Sequence, residues 1–399
     1  MSAQISQISI RNFRSLASVS VELDSIAVLF GPNGSGKSTF LDTIWFVRDC
    51  AIRGVELASS KRGHGIGILY DGADDDDQRI AIALQTEEIE YQLEFDLSSG
   101  RIISSPGECL VNRTSARVLV NRKVGDDTAE LYNATLGQPV LAQLREPEKL
   151  TLNLYLNINP SDRDAGDLDR LLHYVRSYHS RSFMLHRLKT SGSESSHETR
   201  LFDRGENAWS VLRNLHDRKE LDSRFHTIVD FMKEAFPTFD GIILEQTGPN
   251  SIYASFLERD RRQEIRASGV SDGHLQLLLL LTALFSEGPD RAAFLLFDEP
   301  EISLHPWAIS VLAKAIHLAA EEWNKQVLIA THSPVLISQF EPESILASDV
   351  RDGQTRLQRV SEITGIQDLL NDYATGSLYM AQMIGAQTSP ELEEATADD

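Results

Sequence analysis

Nine residues, Gly31 to Thr39 (GPNGSGKST), combine glycines, a lysine and hydroxyls at a spacing that suits a phosphate group. They fit G-x-x-x-x-G-K-[ST], in which glycines let backbone N–H groups wrap a β-phosphate. Lys37 then reaches the β- and γ-phosphates, and the Ser38 hydroxyl coordinates Mg²⁺. Asn33, Gly34, Ser35, Gly36 and Thr39 complete the candidate cradle. A glycine-rich turn can also bind nothing. Here, however, the apolar run IAVLF (26–30) precedes it and the helical pattern STFLDTIWFVRD follows it, as a cradle requires. FLLFDEPE supplies the other half of a magnesium site. Asp298 closes a buried apolar run and can hold Mg²⁺ through water, and Glu299 beside it can polarise an attacking water. Strands often end in acids, so it is the pairing with the glycine loop that carries weight. ATP and Mg²⁺ are the expected ligands. A guanine nucleotide is disfavoured, because NKQV (324–327) lacks the Asp of N-K-x-D.

Two more stretches share this chemistry. Ser268-Gly-Val-Ser271-Asp272-Gly273-His274-Gln opens a leucine-rich helix. Ser271 or Asp272 could be an ordinary N-cap, but the same turn aims free N–H groups and a positive helix end at an anion. THS (331–333) follows the apolar run VLIA and places His332 where a γ-phosphate would lie. The order glycine loop, Ser-x-Gly helix, Asp-Glu, His is not accidental.

The elements that must position these residues read as an α/β fold. ISQISIR (5–11) and SVSVEL (18–23) alternate as half-buried strands do, whereas IAVLF, FLLF (294–297) and VLIA (327–330) are continuous, as central strands are. IAIALQ (80–85) and YQLEFDL (91–97) form a hairpin after the run Asp74–Asp77. Residues 106–240 are expected to be a mostly helical insertion, with helices over 167–183 and 220–236 and a polar loop at 190–199. It separates an N-terminal half (1–105) from a C-terminal half (241–388), and an acidic tail (389–399) follows. GIILEQ and IYASFLER are strands, and Pro306 opens a helix. The net charge is −21, and 41% of residues are apolar. That excess of acid works against non-specific nucleic-acid binding, which draws on clustered Lys and Arg. No apolar run approaches the roughly 20 residues of a membrane span. MSAQISQISIRNF lacks a basic n-region and an apolar h-region, and Cys50 and Cys109 offer no disulfide framework. A cytoplasmic protein is expected.

Together the four motifs resemble an ABC-type ATPase of the RecF/SMC/OLD branch, above all the stand-alone bacterial AAA_21 ATPases. The resemblance extends over most of the chain. NFRSL (12–16) is similar to the branch's opening motif, and Arg14 is thereby implied to contact nucleotide phosphates. VSDGH stands where the LSGGQ signature stands, with Val270 for Leu and Asp272 for Gly, so Ser271 and Gly273 are the residues that carry over. DEPEISLHP resembles the Walker B and D-loop, and RGENAWSVLRNL (204–215) resembles the stand-alone group's helix start. The Q-loop residue is either Gln85 or Glu108. The fold implied is an ABC-type P-loop head, a mixed sheet with flanking helices. Glu299 and His332 are implied to be catalytic, with Ser38 and Asp298 on the metal. A signature serine implies a site split between two chains, hence a homodimer that sandwiches two ATP molecules.

Two departures limit the family's larger relatives. The insertion lacks the heptads of long coiled-coil arms, and the 67 residues beyond His332 show no Glu…Asp-x-Asp nuclease pattern. The resemblance implies an ATP-driven switch for a separate effector, a nuclease or toxin, in anti-phage defence. The alternative is a RecF-like repair clamp that binds duplex DNA directly. A non-catalytic scaffold is opposed by the intact Glu299 and His332.

Overall fold

The computed structural model describes residues 4–73, 78–366, 369–370, 373–381 and 384. Asp74–Asp77 and the acidic tail lie outside the described residues. The continuous apolar runs form the middle of a six-stranded sheet. Its order is Val175–His179, Ala293–Asp298, Lys325–Thr331, Ile26–Phe30, Ile345–Arg351, Gln354–Arg359. The first five strands are parallel, and the last pairs antiparallel. Burial on both faces explains the lack of alternation. Ile26, Val28, Phe30, Leu295 and Phe297 enter one core, while Ala27, Leu29, Phe294, Leu296 and Leu328 enter another.

Helices Asp272–Phe285 and Pro306–Glu322 close the first core. Residues 275–285 of the leucine-rich helix are all buried, so it is an interior helix that is apolar all round. The second core lies under an eight-stranded antiparallel sheet. That sheet starts from the hairpin Gln7–Phe13/Leu16–Glu22 and continues through Ile80–Gln85 and Ile89–Phe95. The helix Lys37–Arg53 packs in the same core.

The span 106–240 departs from the expected, mostly helical character. Its first part forms four strands, Gly107–Asn112, Arg117–Arg122, Thr128–Asn133 and Gln138–Gln143, which extend the antiparallel sheet outward. Helix-forming Ala, Leu and Glu in TAELYN and PVLAQ give way there to ladder pairing between successive hairpin strands. The helix expected over 167–183 ends at His173, and Val175–His179 becomes the edge strand of the six-stranded sheet. Polar 190–199 includes the short strand Ser193–Glu194. Helices at Ala208–His216 and Arg224–Ala235 follow. Among the described residues no helix is long and apolar enough to cross a membrane.

Candidate active site

Parallel strands bring the acids and the phosphate loop to one edge. In register, His179 lies beside Asp298 and Asp298 beside Ala330, while Thr331 lies beside Phe30, after which the loop begins. Ligands of open α/β sheets bind outside such carboxyl ends. The loop turns through Gly34 (φ 80°) and Gly36 (φ 94°), left-handed conformations that favour glycine. At Gly36 there is also no room, since a Cβ would lie 2.1 Å from Thr355 Oγ1. Gly36 is the N-cap of helix Lys37–Arg53 and supplies no side-chain acceptor. The N–H groups of the first turn are therefore left to an anion.

Lys37 is buried and donates to the carbonyls of Gly31 (2.9 Å) and Pro32 (2.8 Å) and to Ser35 Oγ (3.3 Å). Burial pushes its pKa down to about 8, against the pull of Asp298, Glu299 and Glu301. A phosphate would return the anionic partner that burial removes, so the lysine and the uncapped helix fit the same group. Ser38 Oγ donates to Asp298 Oδ1 at 3.1 Å. The two sequence-expected metal ligands, 260 residues apart, are thus brought together. This hydroxyl and carboxylate are the oxygen donors that suit Mg²⁺.

Glu299 has φ 51°, which for a residue with a side chain stores strain. Its N–H donates to Ala330 O at 2.8 Å, fixing the turn that aims the carboxylate. One oxygen, Oε2, accepts from Arg181 Nε at 2.7 Å, and Oε1 lies 3.8 Å from His332 Nε2. Burial, and then the charge of Lys37, lower the His332 pKa and favour its neutral ring. Glu301 Oε1 accepts from Thr331 Oγ1 (2.7 Å) and from the His332 N–H (3.0 Å), tying the D-loop to the strand end that bears the histidine.

Three of these participants are absent from the sequence-based site. His179 Nδ1 approaches Asp298 Oδ2 at 3.2 Å, obliquely, and the carboxylate raises its pKa. Arg181 follows in the turn Ser180–Ser182, and Glu301 sits in the D-loop. The alternation in VRSYH was the available signal for the first. Neither candidate for the Q-loop joins this cluster. Gln85 ends a strand of the antiparallel sheet, and Glu108 is buried with Tyr91, Thr151 and Arg122. Arg14 is likewise directed elsewhere: its guanidinium bonds Asp42 (2.8 Å) and Gly67 O (3.1 Å). Asp42 is one turn beyond Ser38 on the same helix, so Arg14 braces that helix.

Ser271 is the N-cap of its helix, accepting from the His274 N–H (3.4 Å) and lying 2.7 Å from His274 Nδ1. That ring stacks on Phe236 at 3.6 Å. Gly273 packs against the D-loop, where a Cβ would come 2.5 Å from Ser303 O. Among the described residues, no hydrogen bond or ion pair joins Ser271 or Gly273 to Lys37, Ser38, Asp298 or Glu299.

Residues 26–338 match the model of the AAA_21 family, described as "AAA domain, putative AbiEii toxin, Type IV TA system". The Old nuclease of Escherichia phage P2 is 22% identical over 347 residues, 85% of this chain and 58% of the phage protein. The DNA replication and repair protein RecF of Actinobacillus succinogenes is 29% identical over 191 residues, 46% of this chain and 44% of that one. The chain therefore spans about half the length of these curated relatives. A crystal structure of an SmcHead bound to the C-winged helix domain of ScpA shares the fold, with a TM-score of 0.51 and 14% identity. The match covers 91% of this chain and 99% of that one. The chain belongs to the AAA_21 family and is an ABC-type ATPase of the RecF/SMC/OLD branch.

Proposed function

We propose that the chain binds Mg²⁺ and ATP and hydrolyses the γ-phosphate in a site completed by a second copy. This cycle would operate in the cytoplasm as a switch for a separate effector. The observation that carries this reading is the 3.1 Å contact of Ser38 with Asp298, flanked by Glu299 and His332, while Ser271 caps its helix elsewhere. Lys37 and the first-turn N–H groups would hold the phosphates, and Asn33, Gly34, Ser35, Gly36 and Thr39 would shape their cradle. Ser38 and Asp298 would hold Mg²⁺, which supplies positive charge to the transferring group when bound.

Glu299, freed from Arg181, would accept a hydrogen bond from water and orient it for attack. Neutral His332 would keep that carboxylate aimed and present a polar ring to the phosphate. Ser271 and the N–H groups near Gly273 would meet the γ-phosphate held by the partner copy. An effector is supported by the family's description, which names a toxin, and by the phage nuclease among the relatives. Direct binding of duplex DNA is the second reading, favoured by the RecF relative and opposed by a net charge of −21.

Glu299→Gln tests the reading, because it keeps shape and removes the base. With ATP the variant is expected to accumulate as a dimer by light scattering, and with ADP to revert. An unchanged mass with either nucleotide contradicts the ATP-gated dimer. Steeply salt-dependent binding of duplex DNA would move the second reading to first place.

A further inference from the structure

A cavity of about 220 Å³ lies outside the catalytic edge, and the proposed ATPase cycle does not use it. Its walls are the outer face of helix Lys37–Arg53, the edge strand Val175–His179 and residues 200–206. Four guanidinium groups converge on it. Arg48 bonds Asp49 at 3.1 Å, and Arg176 bonds Glu287 at 3.2 Å and the carbonyls of His173 and Val175. Arg53 reaches Asp49 only at 3.8 Å, and the Arg200 guanidinium, which lies over the Phe202 ring, makes no hydrogen bond or ion pair among the described residues.

The cavity is chemically unfinished. Arg176 is 6% exposed, yet its Nε has no partner, and the buried Nε of Arg48 lacks one too. Buried donors of this kind nearly always find an acceptor. Glu206 presents the opposite need, a buried Oε2 with no donor. Trp45 and Phe202 add flat apolar surface, and Arg48 already stacks on Trp45 at 4.2 Å. A single ligand that satisfies all three features carries anionic oxygens for the arginines, a hydroxyl for Glu206 and a small body to lie between the rings. At roughly 30 Å³ per water the space equals about seven waters, enough for a sugar monophosphate.

We propose that this cavity is a binding site for a small phosphate monoester with free hydroxyls, separate from the ATP cradle. Arg53 and Arg200 grip the phosphate as it enters, and Glu206 selects the hydroxyl-bearing body. The occupied site would brace the phosphate-loop helix against the strand that ends at His179, two elements that also frame the catalytic acids.

Ribose 5-phosphate is the probe, titrated calorimetrically into Lys37→Ala protein so that the ATP cradle does not contribute. Saturable binding is expected, about tenfold or more weaker in Arg200→Ala and Arg53→Ala, since each removes a charge-assisted bond. Ribose is expected not to bind, and inorganic phosphate to bind more weakly than ribose 5-phosphate in a manner that Glu206→Gln abolishes as a preference. The same titration of the unaltered chain, saturated with a non-hydrolysable ATP analogue, gives a second route should Lys37→Ala fail to fold. No saturable binding by either route overturns the proposal. So does binding that Arg53→Ala and Arg200→Ala leave unchanged, and equal affinity for inorganic phosphate overturns the hydroxyl assignment.

Discussion

The phosphate-loop edge and the signature helix are built from equally conspicuous motifs, but the chain treats them differently. At the edge, residues as far apart as Ser38 and Asp298 meet within hydrogen-bond distance, and the acids, the histidine and the lysine share one field. At the signature, Ser271 bonds His274 of its own helix, and Gly273 lies close against the D-loop at Ser303. One region gathers charged groups from distant parts of the chain. The other is a capped helix start that, among the described residues, makes no hydrogen bond or ion pair with that edge, and the proposed function assigns it to a partner copy.

Perturbing each region should separate their roles. Glu299→Gln is expected to have the largest effect, a fall in kcat of about 10²- to 10⁴-fold with ATP affinity kept, because only the base is lost. Steady-state phosphate release and a nucleotide titration check both halves. Lys37→Ala is expected to weaken ATP binding by on the order of a hundredfold, since a charge-assisted contact to two phosphates disappears. Normal affinity in a folded variant would show that the cradle has been misread. Gly273→Ala should lower stability by about 1–3 kcal/mol, because the added methyl meets a backbone oxygen that cannot move freely. A thermal melt with unchanged Tm would break the link between signature helix and D-loop.

The smallest effect concerns protons. The Lys37 pKa, lowered to about 8 by burial, leaves a growing fraction neutral above that pH, whereas a bound polyphosphate restores the charged form. ATP binding should therefore take up a proton between about pH 8 and the usual lysine range, and weaken as pH rises through that window. Calorimetry in buffers of different ionisation enthalpy measures the uptake, and Lys37→Arg should abolish it.

The centre of the fold was legible because its strands are buried on both faces. IAVLF and FLLF carry no polar interruption, and each leads straight into the residues that do chemistry. The periphery was not. TAELYN and PVLAQ have no strong local preference for strand, and they become strands only through hairpin pairing with each other and with Arg117–Arg122. The same cause hid part of the site. VRSYH alternates Arg and Tyr with smaller residues at a sheet edge, inside what reads as a continuing helix. His179 and Arg181, which face Asp298 and Glu299, therefore went unseen. At Arg14 the motif points to phosphates, whereas the guanidinium pairs with Asp42. Motif spacing nominates residues for the phosphate, and the packed chain shows which charges restrain them.

The central claim, that each site is composed of two chains, is tested most directly by mixing two inactive variants. Lys37→Ala keeps an intact signature, and Ser271→Arg keeps an intact phosphate edge. Each alone should fail to hydrolyse ATP. Their mixture should recover hydrolysis, because a mixed dimer unites one sound edge with one sound signature. Activity of Ser271→Arg by itself, or a mixture as inactive as its components although mixed dimers form, would contradict the split site.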